Sequence, residues 1–194
     1  MIDKLLFWDK ELFLVLNSLN SQWFDLIMFY LTKTETWIPL YLTLLFFIFR
    51  EYKKNGWFIL LGITLTVFLS DRITSGFFKP YFHRLRPSHE PELSGLVHIV
   101  NQYQGGMYGF VSSHAANTFG TAMFIYLLFR YRYKPIFWIF SWAGIVSYTR
   151  IYLGVHYPLD VLLGAMIGML CGMVGFWVCK KLITKIYETT ELPF

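Results

Sequence analysis

Three segments far apart in the chain carry its polar chemistry. They are Lys79 to Pro87, Ser112-Ser113-His114, and Arg150 to Asp160. They supply fixed cations at Lys79, Arg86 and Arg150, histidines at 114 and 156, and the Asp160 carboxylate four residues after His156. Phosphoryl transfer needs such a set: positive charge around the equatorial oxygens, an in-line nucleophile, and a proton donor for the leaving oxygen. Each arginine offers a planar fork to phosphate oxygens, and Lys79 adds a point charge. Main-chain N–H groups at a helix start near Ser112–His114 would add anion-binding donors. His156 and His114 are then the nucleophile and the general acid. If a helix begins at Tyr157–Pro158, with proline in its first turn, His156 and Asp160 can meet. A carboxylate on one imidazole nitrogen would fix the tautomer and leave the other nitrogen as nucleophile.

Every one of these residues also has a plain structural use. Lys79 could snorkel to lipid headgroups, Ser112-Ser113 could cap a helix, and His156–Asp160 could be a helix N-terminal pair. His83, His89 and His98 read as structural. What favours chemistry is the joint occurrence, because each charged group is costly to hold near a bilayer.

The elements that must position these groups are membrane helices. The 194 residues are 56% hydrophobic and 21% aromatic, and only 15% are charged, against about a quarter in soluble domains. The formal charge of +5 sits mostly in short loops between apolar runs, which argues against a nucleic-acid partner. A spanning helix takes about 20 apolar residues. Five segments fit: 35–50, 57–78, 114–130, 135–154 and 158–179. Residues 11–32 carry Asn17, Ser18, Asn20, Ser21 and Gln22 at their middle. That segment is either an amphipathic interfacial helix followed by a short one, or a sixth span. The expected fold is all-α, a polytopic membrane bundle of about six helices in one domain covering 1–194. Cys171 and Cys179 lie in the last apolar run and read as packing residues, and Met1 to Lys10 lacks a signal-peptide cleavage pattern. Asp71 reads as a hydrogen-bond acceptor within the bundle, with Lys79 or Arg72 as donor.

Charge bias orients the spans. Arg50, Lys53 and Lys54, then Arg130, Arg132 and Lys134, then Lys180, Lys181 and Lys185 mark the cytoplasmic ends. The 80–113 loop and the 151–157 turn then face the other side, and all three polar segments fall at outer helix ends. Lys79 and Arg86 are positive and outside, against the trend, which suggests a separate job for them.

These segments resemble the type 2 phosphatidic acid phosphatase superfamily, integral membrane lipid phosphatases that share their site with vanadium haloperoxidases. The motif K-x6-R-P is complete at Lys79, Arg86 and Pro87. P-S-G-H is met by Ser112 and His114, with Val111 and Ser113 in the other two places. S-R-x5-H-x3-D is met by Arg150, His156 and Asp160, with Thr149 replacing serine. The resemblance implies that His156 forms a phosphohistidine, Asp160 orients it, and His114 protonates the leaving group. It implies phosphate binding by Lys79, Arg86, Arg150, Ser112 and the backbone near Ser113, without a metal or other cofactor. Ser113 in place of glycine adds a side chain where backbone approaches phosphate, and Val111 loosens the turn.

The expected function is hydrolysis of a lipid phosphate or diphosphate: undecaprenyl diphosphate, phosphatidylglycerol phosphate, phosphatidic acid or a lipid A phosphate. A phosphotransferase passing the phosphoryl group to another lipid would use the same residues. A non-enzymatic lipid-binding or transport protein is the third reading, and the intact His114, His156 and Asp160 argue against it. The expected place is a bacterial inner membrane with the site facing the periplasm, and the expected partners are the lipid substrate and bulk membrane lipids.

Overall fold

Apolar chain in lipid must pair its own backbone polar groups, and the helix does this within one segment. The computed structural model describes residues 1–187. It consists of α1 (Ile2–Ser18), α2 (Gln22–Leu31), α3 (Ile38–Tyr52), α4 (Gly56–Asp71), α5 (Lys79–Phe82), α6 (Ser113–Phe129), α7 (Ile139–Tyr152) and α8 (Pro158–Tyr187). Among the described residues there is no named strand, and the one isolated β-bridge pairs Leu85 with Tyr108. The all-α polytopic bundle expected from the sequence is the fold observed.

The differences from expectation are local. The 11–32 segment is two helices, and the first starts at Ile2. The break falls at Leu19–Ser21, where the Ser21 hydroxyl caps α2 by accepting from Phe24 N–H at 3.4 Å. Neither piece meets the length and apolarity of a span, whereas Thr34–Phe82 and Pro158–Ile186 do. The first of these is 49 residues, far longer than a bilayer needs, and it is divided at Lys53, where a φ of 47° turns the chain between α3 and α4. The helix expected over 57–78 runs on to Phe82, through a π-helical stretch at Arg72–Phe78. Pro80 cannot donate to the carbonyl four residues back, and the widened turns precede it.

Helix register follows from close backbone contacts. Gly164, Gly168 and Gly172 line one face of α8. A Cβ on them would meet the carbonyls of Ser112, Ala116 and Gly120 respectively. The pairs advance in the same direction, so α6 and α8 run parallel with their N-termini at one end. Gly62 on α4 lies against Cys179, and Gly175 against Thr66, so α4 is antiparallel to α8. Its C-terminus therefore joins those two N-termini. Small residues that let backbones touch are the usual device for tight helix pairs in lipid. Ile48, Ile59, Phe124, Leu128, Trp142 and Ile183 form the main apolar cluster between helices α3, α4, α6, α7 and α8. At the far end, Tyr52 Oη donates to Leu128 O at 2.8 Å, and Glu51 accepts from Tyr133 Oη at 2.7 Å and from Arg132.

Helix α1 is turned inside out relative to a soluble helix. It buries Asp9, Phe13 and Asn17 and exposes Leu5, Phe7, Trp8, Leu12 and Val15. The buried residues recur every four positions and face the α7–α8 turn. Asn17 Nδ2 donates to the carbonyls of Ile151 at 3.2 Å and Tyr152 at 2.9 Å, and its Oδ1 accepts from His98 N–H at 2.7 Å. One side chain thus satisfies terminal carbonyls of α7 that have no partner within their own helix.

Candidate active site

Four helix ends bring the polar segments together. The C-terminal end of the α4–α5 run carries Lys79, the following loop Arg86, the start of α6 Ser112, Ser113 and His114, the end of α7 Arg150, and the α7–α8 turn with the first turn of α8 His156 and Asp160. Ser112 N–H donates to Asp160 O at 2.9 Å, tying the start of α6 to the start of α8. Arg86, Ser112, Arg150, His156 and Asp160 are buried, and Lys79, Ser113 and His114 are half-buried. A cluster of three cations is held out of water, which is tolerated only where opposite charge or a ligand compensates.

Each cation has a specific holder. Lys79 Nζ donates to Ser113 Oγ at 2.9 Å and to Ser75 Oγ at 3.3 Å, while Thr74 Oγ1 donates to the same Ser113 hydroxyl at 2.9 Å. The Ser113 side chain therefore points at the π-helical stretch after α4 and anchors Lys79. Arg86 Nε donates to Tyr108 O at 3.1 Å. Arg150 donates from Nη1 to Thr32 Oγ1 at 2.6 Å and from Nη2 to Tyr103 Oη at 3.0 Å. Its buried Nε has no hydrogen-bond partner among the described residues. A buried unpaired donor costs about 1–3 kcal/mol, so an anionic ligand at this point would recover that energy.

His156 Nδ1 lies 3.5 Å from Asp160 Oδ2. That is ion-pair range but beyond a hydrogen bond, and Nδ1 is otherwise unpartnered among the described residues. Burial, and then the charges of Arg86, Arg150 and Lys79, hold the His156 imidazole well below the ordinary histidine range, with the Gly109 main chain acting the other way. Burial and the neighbouring cations thus favour the uncharged ring. The charges of Arg150, Lys79 and Arg86 all reach His114. Gly109 packs over the pair: a Cβ there would stand 3.3 Å from Asp160 Oδ2 and 3.1 Å from Arg86 Cγ.

Ser112 is the N-cap of α6, accepting from Ala115 N–H at 3.4 Å. Thr149 donates into its own helix, to Val146 O at 2.6 Å. Asp71 is exposed and accepts from Ser75 Oγ at 3.1 Å, so a serine takes the place expected for Lys79 or Arg72. His98 pairs with Asp25 at 2.8 Å. Thr32, Tyr103, Ser75, Arg84 and Asp9 carry no motif that marks them; only the proximity of Arg84 to Arg86 is visible in the sequence. Among the described residues, no group of three or more His, Cys, Asp or Glu could hold a metal.

Beside His114 a cavity of about 590 Å³ runs between α3, α4, α6 and α7. Its wall is mostly apolar, with Leu45, Leu60, Ile63 and Ile125 among the residues facing it.

Together, the fold and the site define a membrane-embedded phosphatase. A model of the PAP2 superfamily matches residues 55–183, and the chain belongs to that superfamily. It is 38% identical to a lipid A 4'-phosphatase of Bacteroides thetaiotaomicron, across the whole of this chain and 86% of that protein. A lipid A 4'-phosphatase of Porphyromonas gingivalis is 36% identical over 84% of this chain and 70% of its own length. The crystal structure of Aquifex aeolicus LpxE matches with a TM-score of 0.62 at 28% identity, covering 86% of this chain and 93% of that one. A Bacillus subtilis phosphatidylglycerolphosphate phosphatase shares the fold, with a TM-score of 0.66 at 21% identity over 94% of this chain and 88% of its own.

Proposed function

We propose that the protein removes the 4'-phosphate of lipid A through a phosphohistidine intermediate, from the extracytoplasmic side of a bacterial inner membrane. The carrying observation is the gathering of buried His156 and Asp160 with the cations Lys79, Arg86 and Arg150 at one end of the bundle, where His114 also lines an apolar cavity. Similarity to two lipid A 4'-phosphatases over most of the chain supports the choice of lipid. The charge bias that assigns Arg50, Arg130 and Lys180 to the cytoplasmic ends supports the choice of face.

The substrate phosphate sits among Lys79, Arg86 and Arg150, with the first-turn N–H groups of α6 adding donors. Arg150 Nε supplies one further donor, buried and unpaired among the described residues. Nε2 of His156 attacks phosphorus as the bond to the sugar oxygen breaks. His114, in protonated form beside the bound anion, gives its proton to that oxygen. Asp160 draws in to take the Nδ1–H of His156 and balances the charge the ring acquires. Water then attacks the phosphohistidine with His114 as base, the P–N bond breaks, and inorganic phosphate leaves. Ser112 and Ser113 act at one remove, Ser112 by capping α6 and Ser113 by holding Lys79.

The test is phosphate release by the purified protein in detergent, without added metal, from lipid A, undecaprenyl diphosphate and phosphatidylglycerol phosphate side by side. Lipid A should be turned over fastest, with product lacking the 4'-phosphate. His156→Ala should lose at least about 10³-fold in kcat. Wild-type turnover by that variant would refute the mechanism, and faster turnover of another lipid would refute the substrate.

A further inference from the structure

Arg84 is a second arginine beside the motif residue Arg86, and it points elsewhere. Its Nη1 donates to Asp160 Oδ1 at 2.8 Å, and its Nη2 to Asp9 Oδ2 at 2.7 Å. The guanidinium also lies over the Tyr157 ring, 4.0 Å from its centroid. Asp9 is 4% exposed and reaches from α1 to accept Leu159 N–H at 2.8 Å on its other oxygen. It thus satisfies one of the first N–H groups of α8, which have no partner within the helix. Asp160 Oδ2 accepts from Tyr157 N–H at 3.0 Å. Both oxygens of Asp160 are therefore held, with Oδ2 also the one facing His156.

We propose that Asp9 and Arg84 are positioning residues of the phosphatase reaction, acting through Asp160 on His156 as one chain of four groups. The proposal rests on the reading of His156 as nucleophile. Arg84 sets a positive charge against the Asp160 carboxyl in a dry site and fixes its rotation. Asp9 divides the charge of Arg84, so Asp160 keeps enough negative potential to stabilise the ring cation formed on phosphorylation. A lysine at 84 could reach one carboxylate but could not hold two through separate nitrogens. Asp9 lies outside the segment that the superfamily model matches, so α1 contributes to the site from beyond the shared core. A merely structural use of the same contacts would hold α1 in place without touching turnover.

Kinetics on whichever lipid phosphate the wild type hydrolyses separate the two. Asp9→Asn and Arg84→Ala should each lower kcat by about 10- to 100-fold, the scale seen when a group orienting an active-site ligand is lost, with KM within about threefold. Arg84→Lys should fall between Arg84→Ala and wild type. Lys10→Ala, on the same helix as Asp9, breaks the exposed 2.6 Å pair with Glu92 of the 80–113 loop, and should leave kcat unchanged. In an Asp160→Asn background, Asp9→Asn should cost less than about twofold, because its route to His156 is already cut. Thermal unfolding of each variant identifies any loss that is only instability. Folded Asp9→Asn and Arg84→Lys proteins with wild-type kcat would overturn the proposal. So would an Asp9→Asn loss of equal size with and without Asp160. A wild-type protein that hydrolyses no lipid phosphate refutes the phosphatase mechanism itself, and this proposal with it.

Discussion

His156 is a histidine whose burial and cationic neighbours favour the uncharged ring, and this has a thermodynamic consequence. An unfolded histidine takes up a proton near about pH 6.5. The folded one does so only at much lower pH. Between those limits the unfolded chain binds more protons, so stability rises with pH and is lost as pH falls below about 6.5. The midpoint of thermal unfolding should drop between pH 7 and pH 5, and His156→Gln should flatten that drop. Ser113 offers a second test. Its hydroxyl holds Lys79, so in the proposed site that side chain would prepare a cation for phosphate. Ser113→Gly should free the ammonium, and re-ordering it on binding should raise KM about 2- to 10-fold with kcat nearly unchanged, at about 0.5–1.5 kcal/mol per immobilised side chain. The charged residues of the site were legible because an apolar chain makes each of them conspicuous. Their holders were not. Thr32 lies 118 positions from Arg150, and Tyr103 lies 47 positions away. A threonine and a tyrosine in such a chain carry no mark of that duty.

Helices α6 and α8 deliver the two halves of the proposed chemistry, and their relative register is set by backbone contact. Gly168 meets the Ala116 carbonyl so closely that no side chain fits. Gly168→Val should force the helices apart, at a cost of about 1–3 kcal/mol, and should lower kcat by displacing Ser112 and His114 from His156. Gly144, on α7, has nothing within 4 Å of a built Cβ. Gly144→Ala should therefore be neutral or stabilising by up to about 1 kcal/mol. The measurement is thermal unfolding alongside turnover, and equal effects of the two substitutions would contradict the register argument. The five apolar segments were readable as helices because a long hydrophobic run admits few other folds, though only Thr34–Phe82 and Pro158–Ile186 have the length and apolarity of a span. The π-helical stretch before Pro80 was not, since it depends on how one proline is accommodated rather than on any period in the sequence. The two-piece form of 11–32 was one of two readings that its polar centre allowed, and the Ser21 cap is what divides it.

At the scale of the whole molecule, one end of the bundle holds charge and the interior beside it holds a cavity. The cavity of about 590 Å³ has His114 in its wall and continues among Leu45, Ile63 and Ile125. This places apolar space next to the proposed proton donor, at the depth where a lipid tail would lie if its phosphate sat among Lys79, Arg86 and Arg150. The helix that closes one side, α3, is joined to α4 through the turn at Lys53. A bulky residue in the cavity should then discriminate by chain length rather than by head group. Ile63→Trp should cut turnover of a long-chain lipid phosphate by about 10-fold or more, since about 0.8 kcal/mol is lost for each methylene that can no longer be buried. A short, water-soluble phosphate ester, which has no tail to place, should be hydrolysed at the wild-type rate. If both substrates slow equally, the cavity is packing space and the tail lies elsewhere; if only the long one slows, the cavity is where the lipid is held while its phosphate is removed.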